Sequence, residues 1–243
     1  LNLAVGVTLT AQQVAALTHD IVWLEEHQVN GENVLVPVLY MANANNRLAA
    51  NGALIQGSDV TLIAGKDLTN SGTLRASNNL SATVGNDLVN SGLVEAGNRL
   101  DLLAGNNLVN KAGGIIAGRD VNLVAVSGDV INERTATTLD SRYSSTTLHR
   151  DYVDSAARIE AANELTISAG RDAVNAGGVM KSGGDTYIDA TRDISVLAVQ
   201  ERDSGKQSRF RNETITQHSA SIDAGRDLTL KSGRDIAVVA SDI

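Results

Sequence analysis

Cysteine is missing from all 243 residues, so neither disulfide staples nor thiolate metal sites are available to this chain. A cysteine-free chain also suits export through an envelope in an unfolded state. Proline occurs once and aromatic residues are 2% of the total, one Trp, four Tyr and one Phe. Such a chain has few rings with which to build a bulky core or a row of sugar-stacking platforms. No run of about 18 apolar residues is present, and the opening LNLAVGVTLTA has no basic segment before it. This argues against a membrane-spanning helix and a signal peptide, and the chain reads as a fragment that begins mid-protein. Basic residues are outnumbered 20 to 28, for a net charge of −8, and they are dispersed. Nucleic acid is therefore not an expected partner, because phosphate contacts need clustered Lys and Arg.

What the chain does have is repetition. Between Gly52 and Asn132 a unit recurs four times, the third reading SGLVEAGNRLDLLAGNNLVN, with Gly52, Gly72, Gly92 and Gly113 as the matching glycines. Internal repeats of this length signify stacked architectures. Within each unit apolar residues alternate at period two, as in Val60, Leu62, Ala64 and Leu100, Leu102, Ala104. That is the pattern of half-buried strands. Between them lie Gly-Asn and Gly-Asp steps that tolerate sharp corners. One such coil buries too few aliphatics to offset the entropy of ordering about 20 residues, so each must hydrogen-bond to the coils above and below. The expected fold is all-β, a right-handed parallel β-helix with coils of 20 to 21 residues.

Two stretches break the period: residues 133–155, ERTATTLDSRYSSTTLHRDYVDS, and residues 200–219, QERDSGKQSRFRNETITQHS. Aligning Val130 with Leu108 and Ile159 with Ile115 makes each an addition of about 21 or 22 residues at the same corner, with two intact coils between them. Extruded loops or hairpins projecting from one edge are expected, about 10–15 Å apart. Tyr143, Tyr152 and Phe210 lie in them, half of the chain's aromatics, and mark a candidate contact surface, since insertions in solenoids collect on one face. Residues 1–48 form a separate module. Thr10-Ala11-Gln12-Gln13 resembles a capping box for a short helix from Ala11 to Thr18, and Asn30-Gly31 sits between two β-rich runs as a hairpin signal, with Pro37 suggesting an edge or bulge. The β-helix is expected over residues 49–243.

Asn70, Asn90, Asn110 and Asn132 recur at the end of successive units and should stack as a ladder of side-chain amides, a structural role. Asp67, Asp87, Asp129, Asp172, Asp193, Asp227 and Asp235 follow corner glycines, and the basic residues before several of them, such as Arg171, Arg192 and Arg234, supply compensating charge. The nonapeptide spacing of calcium β-rolls is absent. His19, His27, His149 and His218 are scattered, with no metalloprotease spacing, and neither a G-x-S-x-G nor a P-loop occurs. No catalytic residue, metal ligand or cofactor site is expected, and the chain does not read as an enzyme.

The A-G-[KRN]-[DN]-[LVI] units followed by N-S-G resemble the repeats of filamentous-hemagglutinin-like exoproteins of Gram-negative two-partner secretion. More narrowly, LTAQQVAALTHDIVWLEEHQVNGENVLVPVLYMA, ARIEAANELTISAGRDAVNAGGVMKSGGD and SIDAGRDLTLKSGRDIAVVASDI are similar to the second hemagglutinin-repeat region of CdiA-type contact-dependent growth-inhibition toxins. The resemblance implies a very large secreted protein that extends from the cell and helps deliver a C-terminal toxin, with an outer-membrane transport partner. It further implies a secreted or cell-surface location, a period of retention in the periplasm, and contact with the target's outer membrane or a surface receptor. A monomer is expected, and an adhesin stalk binding surface receptors is the alternative role.

Overall fold

A computed structural model describes residues 21–29, 32–40, 53–143, 146–207 and 210–241, with side chains from residue 53 onward except 207 and 210. The chain divides into two compact units, residues 1–52 and 53–243. In the first, β1 (Ile21–Val29) and β2 (Glu32–Tyr40) pair antiparallel from Val29 opposite Glu32 to Ile21 opposite Tyr40. Pro37 lies opposite Leu24 without breaking the register, so no bulge forms there. In a two-stranded sheet each strand has a free edge, where a residue lacking N–H is tolerated. The expected helix from Ala11 to Thr18 lies outside the described residues.

The second unit stacks seven coils of three strands each. The first four are β3 (Leu54–Gly57), β4 (Val60–Ala64) and β5 (Leu68–Asn70); β6 (Thr73–Ala76), β7 (Leu80–Val84) and β8 (Leu88–Asn90); β9 (Leu93–Ala96), β10 (Arg99–Ala104) and β11 (Leu108–Asn110); and β12 (Ile115–Gly118), β13 (Asp120–Ala125) and β14 (Val130–Glu133). The hairpin β15 (Ala136–Tyr143) and β16 (Thr146–Val153) follows. Coils five and six are β17 (Arg158–Ala161), β18 (Leu165–Ala169) and β19 (Ala173–Ala176), then β20 (Val179–Ser182), β21 (Thr186–Ala190) and β22 (Ile194–Leu197). A second hairpin, β23 (Val199–Gln207) and β24 (Phe210–His218), precedes coil seven, β25 (Ser221–Ala224), β26 (Leu228–Ser232) and β27 (Ile236–Val239). Corresponding strands make three parallel seven-stranded sheets, so the unit is a parallel β-helix. Seven coils at about 4.8 Å each give a rod of roughly 30 Å.

Its interior is built from columns. Leu62, Ala82, Leu102, Leu123, Ile167, Ile188 and Leu230 are successive partners in the second sheet, and Leu102, Leu123 and Ile167 are fully buried. Aliphatic chains of similar size can occupy one such position coil after coil, whereas a ring among them would leave voids above and below.

Two alignments need correction. Ile159 pairs with Ile116 and not with Ile115, whose partner is Arg158. The period-two parity explains it: Ile116 and Ile159 are both buried, while Ile115 is only partly buried and points outward. Likewise the coil-four glycine that takes the place of Gly92 is Gly114, because Ile115 N–H donates to the Gly92 carbonyl as Leu93 N–H does to that of Gly72. Ala112 and Gly113 are an inserted pair at positive φ, closed by a hydrogen bond from Gly114 N–H to Lys111 O.

Both period-breaking stretches are hairpins, and they do not project separately. β16 pairs antiparallel with β23, giving one four-stranded sheet in the order β15, β16, β23, β24. The geometry follows from where the hairpins are inserted. β15 leaves coil four, β16 enters coil five, β23 leaves coil six and β24 enters coil seven. The spacing between hydrogen-bonded strands equals the rise per coil, so four consecutive levels supply four adjacent strands. Glu133 remains in the coil, paired with Ala176.

Candidate contact surface

The interior holds one polar column. Asn70 Nδ2 donates to Asn90 Oδ1 at 2.8 Å, Asn90 to Asn110 at 2.8 Å, Asn110 to Asn132 at 2.9 Å and Asn132 to Asn175 at 3.0 Å. The last step joins residues 43 apart in sequence, across the first hairpin. Each Nδ2 also reaches corner carbonyls, as Asn110 does to Gly114 O and Arg158 O, both at 3.0 Å. Asn90, Asn110 and Asn132 have no solvent exposure, so the column serves the corner and is closed to ligands. Val196 takes the position above Asn175.

At the corner between the second and third sheets runs a second column: Asp67, Asp87, Asn107, Asp129, Asp172, Asp193 and Asp235. Each Oδ1 accepts the backbone N–H of the next member, for example Asn107 N–H to Asp87 at 2.9 Å and Asp172 N–H to Asp129 at 3.0 Å. Asp227 belongs to a different corner, above Asp185. The neutralising arginines reach down one coil and leave the adjacent Asp alone: Arg171 Nε donates to Asp129 at 2.6 Å, Arg192 to Asp172 at 3.0 Å and Arg234 to Asp193 at 3.1 Å. These guanidinium contacts hold the Asp129, Asp172 and Asp193 carboxyls below their ordinary range. Sequence inspection missed Asn107, whose amide oxygen does the work of a carboxylate in this column.

The hairpin sheet is exposed on both sides, and its register sorts its side chains. In an antiparallel sheet directly opposed residues share a face and neighbours along a strand alternate. One face therefore carries Tyr143 opposite Thr146, Ser141 opposite Leu148 and Gly205, Leu139 opposite Arg150 and Asp203, and Thr137 opposite Tyr152. Tyr143 is 83% exposed and Tyr152 51%. The candidate residues Tyr143 and Tyr152 thus come to one surface. Phe210 pairs with Gln207 at the far end of the second hairpin, and its side chain lies outside those described. A groove of about 640 Å³ runs over β16, β23 and β24, lined by Thr146, Leu148, Arg150, Asp203, Gly205 and Asn212 and also by Thr147, Ser204, Lys206, Arg211 and Thr214. Arg150 and Asp203 form an ion pair at 3.5 Å within it.

Charge gathers on the opposite face. Arg142, Thr147, Lys206 and Arg211 form one row across the four strands, and Asp140, His149, Ser204 and Glu213 the next. His149 Nδ1 lies 2.7 Å from Asp140 and its Nε2 3.4 Å from Asp151. The Asp140 hydrogen bond, aided by both carboxylate charges, raises the imidazole above its ordinary pKa. Asp151 also accepts Thr138 Oγ1–H at 2.7 Å and Arg202 N–H at 3.0 Å, tying three strands together. No sequence spacing announces this cluster, because it exists only once β15, β16 and β23 pair. Arg134 sits at the hairpin base, donating to Gly177 O and Asp154 O.

Stacked aliphatic columns, a buried amide ladder and an external hairpin sheet define a repeat segment of the parallel β-helix class. The chain is, more particularly, a CdiA-like segment. It is 34% identical over 257 residues to a tRNA nuclease CdiA of Yersinia mollaretii, covering 99% of this chain and 9% of that protein. It is 35% identical over 255 residues to a deoxyribonuclease CdiA of Dickeya dadantii, covering 100% of this chain and 8% of the relative. A tRNA nuclease CdiA-2 of Burkholderia pseudomallei matches at 47% over 73 residues, 30% of the chain. The chain therefore spans less than a tenth of the length of these relatives. No protein-family profile and no solved structure matches it.

Proposed function

We propose that this segment is a non-catalytic rod within a large secreted exoprotein, adding length outside the cell and helping carry a C-terminal toxin to neighbouring bacteria. One observation carries the reading. Relatives named for different chemistries, a tRNA nuclease and a deoxyribonuclease, match this chain equally well along its whole length. A part shared by both is not what sets either activity. On this reading the exoprotein is exported through an outer-membrane transport partner, resides on the surface of a Gram-negative cell after a stage in the periplasm, and meets the target's outer membrane or a receptor there. The test is a deletion of the segment from such an exoprotein, beside nuclease assays on the purified chain. Loss of target inhibition with secretion and the toxin's nuclease intact is expected, together with no cleavage of tRNA or DNA by the chain. Inhibition unchanged by the deletion, or cleavage by the chain alone, would overturn the proposal. An adhesin stalk is the second reading, favoured by the exposed tyrosines of the hairpin sheet.

A further inference from the structure

We propose that the open edge of β15 pairs antiparallel with β15 of a second copy of this chain, joining two four-stranded hairpin sheets into one of eight strands. The pairing stands whether or not the segment helps deliver a toxin, and it sets a dimer against the monomer expected from sequence.

The first observation is the edge itself. β15 is the outermost strand of the hairpin sheet, and among the described residues nothing pairs with its outer side. It runs from Ala136 to Tyr143 in unbroken register with β16, and every residue along it is exposed. Exposed strand edges are ordinarily blunted by proline, lysine, a bulge or shortness. β15 has none of these, and its Thr137, Thr138, Leu139 and Tyr143 favour extended backbone.

The second observation is that this edge complements itself in one register. Opposed residues of an antiparallel pair share a face, so a two-fold axis normal to the sheet must oppose odd residues to odd and even to even about one central residue. Centred on Asp140 or on Arg142, the pairing sets a charge against its own copy. Centred on Leu139, it brings Tyr143 of the copy opposite Thr135 and drives the hairpin tip beyond it into Arg134, whose N–H is bonded within the coil to Ala176 O. Centred on Tyr143, it has no strand beyond the axis. Centred on Ser141, it matches on both faces: Asp140 of each copy lies opposite Arg142 of the other, and Leu139 of each opposite Tyr143 of the other. His149 engages only Oδ1 of Asp140, whose side chain is 73% exposed, so the carboxylate can accept a guanidinium as well. The other edge of the sheet, β24, offers less, because its Glu213 is already shared by Arg202 at 2.7 Å and Arg211 at 3.2 Å. An unrelated extended peptide would meet the backbone edge without this pattern of side chains, which makes a second copy the occupant.

Sedimentation equilibrium of the purified 243-residue chain up to about 1 mM, together with cysteine cross-linking, tests this. A concentration-dependent dimer is expected, weak because a few opposed residues a side make a small interface. Asp140→Arg and Arg142→Asp should each weaken it at least about tenfold, since each sets like charges across the axis on both sides of Ser141. An equimolar mixture of the two variants should associate as the parent does, because every charged pair across the axis of the mixed dimer is again of opposite sign. A variant that merely disturbed the hairpin would gain nothing from mixing. The chain has no cysteine of its own, so Ser141→Cys places a single thiol on the axis, about 4.5–5.5 Å from its copy, and should cross-link with a short bismaleimide. Leu139→Cys should not, its copy lying about 13 Å away along the strands. A monomer at every concentration, a mixture that restores nothing, or cross-linking at Asn212→Cys on β24 with none at Ser141→Cys would each overturn the proposal.

Discussion

Replacing Asn110 by alanine removes the middle rung of the amide ladder. Asn110 is completely buried and accepts from Asn90 at 2.8 Å while donating to Asn132 at 2.9 Å and to two corner carbonyls at 3.0 Å. Each lost hydrogen bond costs about 1 kcal/mol net, and the Asn132 amide oxygen is left without its donor, for a further 1–3 kcal/mol or so. The total is roughly 5–7 kcal/mol. Asn70, at the ladder's end and 7% exposed, donates to Asn90 and to Leu93 O, and its replacement should cost about 1–2 kcal/mol. Urea titration by far-UV circular dichroism measures the whole stack, and amide exchange of coils three and four reports whether the loss is local, as nearest-neighbour coupling requires. An Asn110→Ala variant within about 0.5 kcal/mol of the parent, or one less damaging than Asn70→Ala, would refute the reasoning.

Gly105→Ala should be severely destabilising, by more than about 2 kcal/mol, because its new methyl would overlap the Gly85 carbonyl one coil below, whereas Gly65→Ala meets nothing within 4 Å and should be near neutral; thermal melts of both variants compare them. The arginine-paired carboxyls of Asp129, Asp172 and Asp193 titrate lower in the fold than in the unfolded chain, so their contribution is present above the ordinary carboxylate pKa and lost as pH falls through the folded values. Arg192→Gln should flatten part of that acid limb in urea midpoints measured across pH. His149 has the opposite sign: its folded pKa is raised, so its contribution is full below the ordinary imidazole pKa and disappears as pH rises through the folded value. His149→Gln should remove that dependence from amide exchange in the hairpin sheet while leaving the coils unchanged.

The coils are legible because their period is strict. Leu80 and Leu100, Leu88 and Leu108, and the asparagines fall at nearly constant spacing, and burial on one side of each strand demands that alternation. Legibility fails where the period slips. The inserted Ala112 and Gly113 shift the glycine alignment by one, and the parity error at Ile115 arises because two adjacent isoleucines give no sign of which faces inward. The hairpin sheet was half readable: the shared corner is visible in the spacing, but the strands have no one-sided apolar pattern from which to deduce pairing. Tyr143 and Tyr152 stand nine positions apart, a spacing that puts them on opposite sides of a continuous strand. Only the turn between them brings both to one face.

The account depends most on register surviving the first hairpin. Side-chain amide contacts in a nuclear Overhauser spectrum test it directly, since Asn132 and Asn175 are 43 residues apart and joined at 3.0 Å. A cross-peak between those two amide groups, continuing the series from Asn70 through Asn110, is the predicted result. An Asn175 amide lying close to some other residue, with no Asn132 contact, would contradict the stacked β-helix.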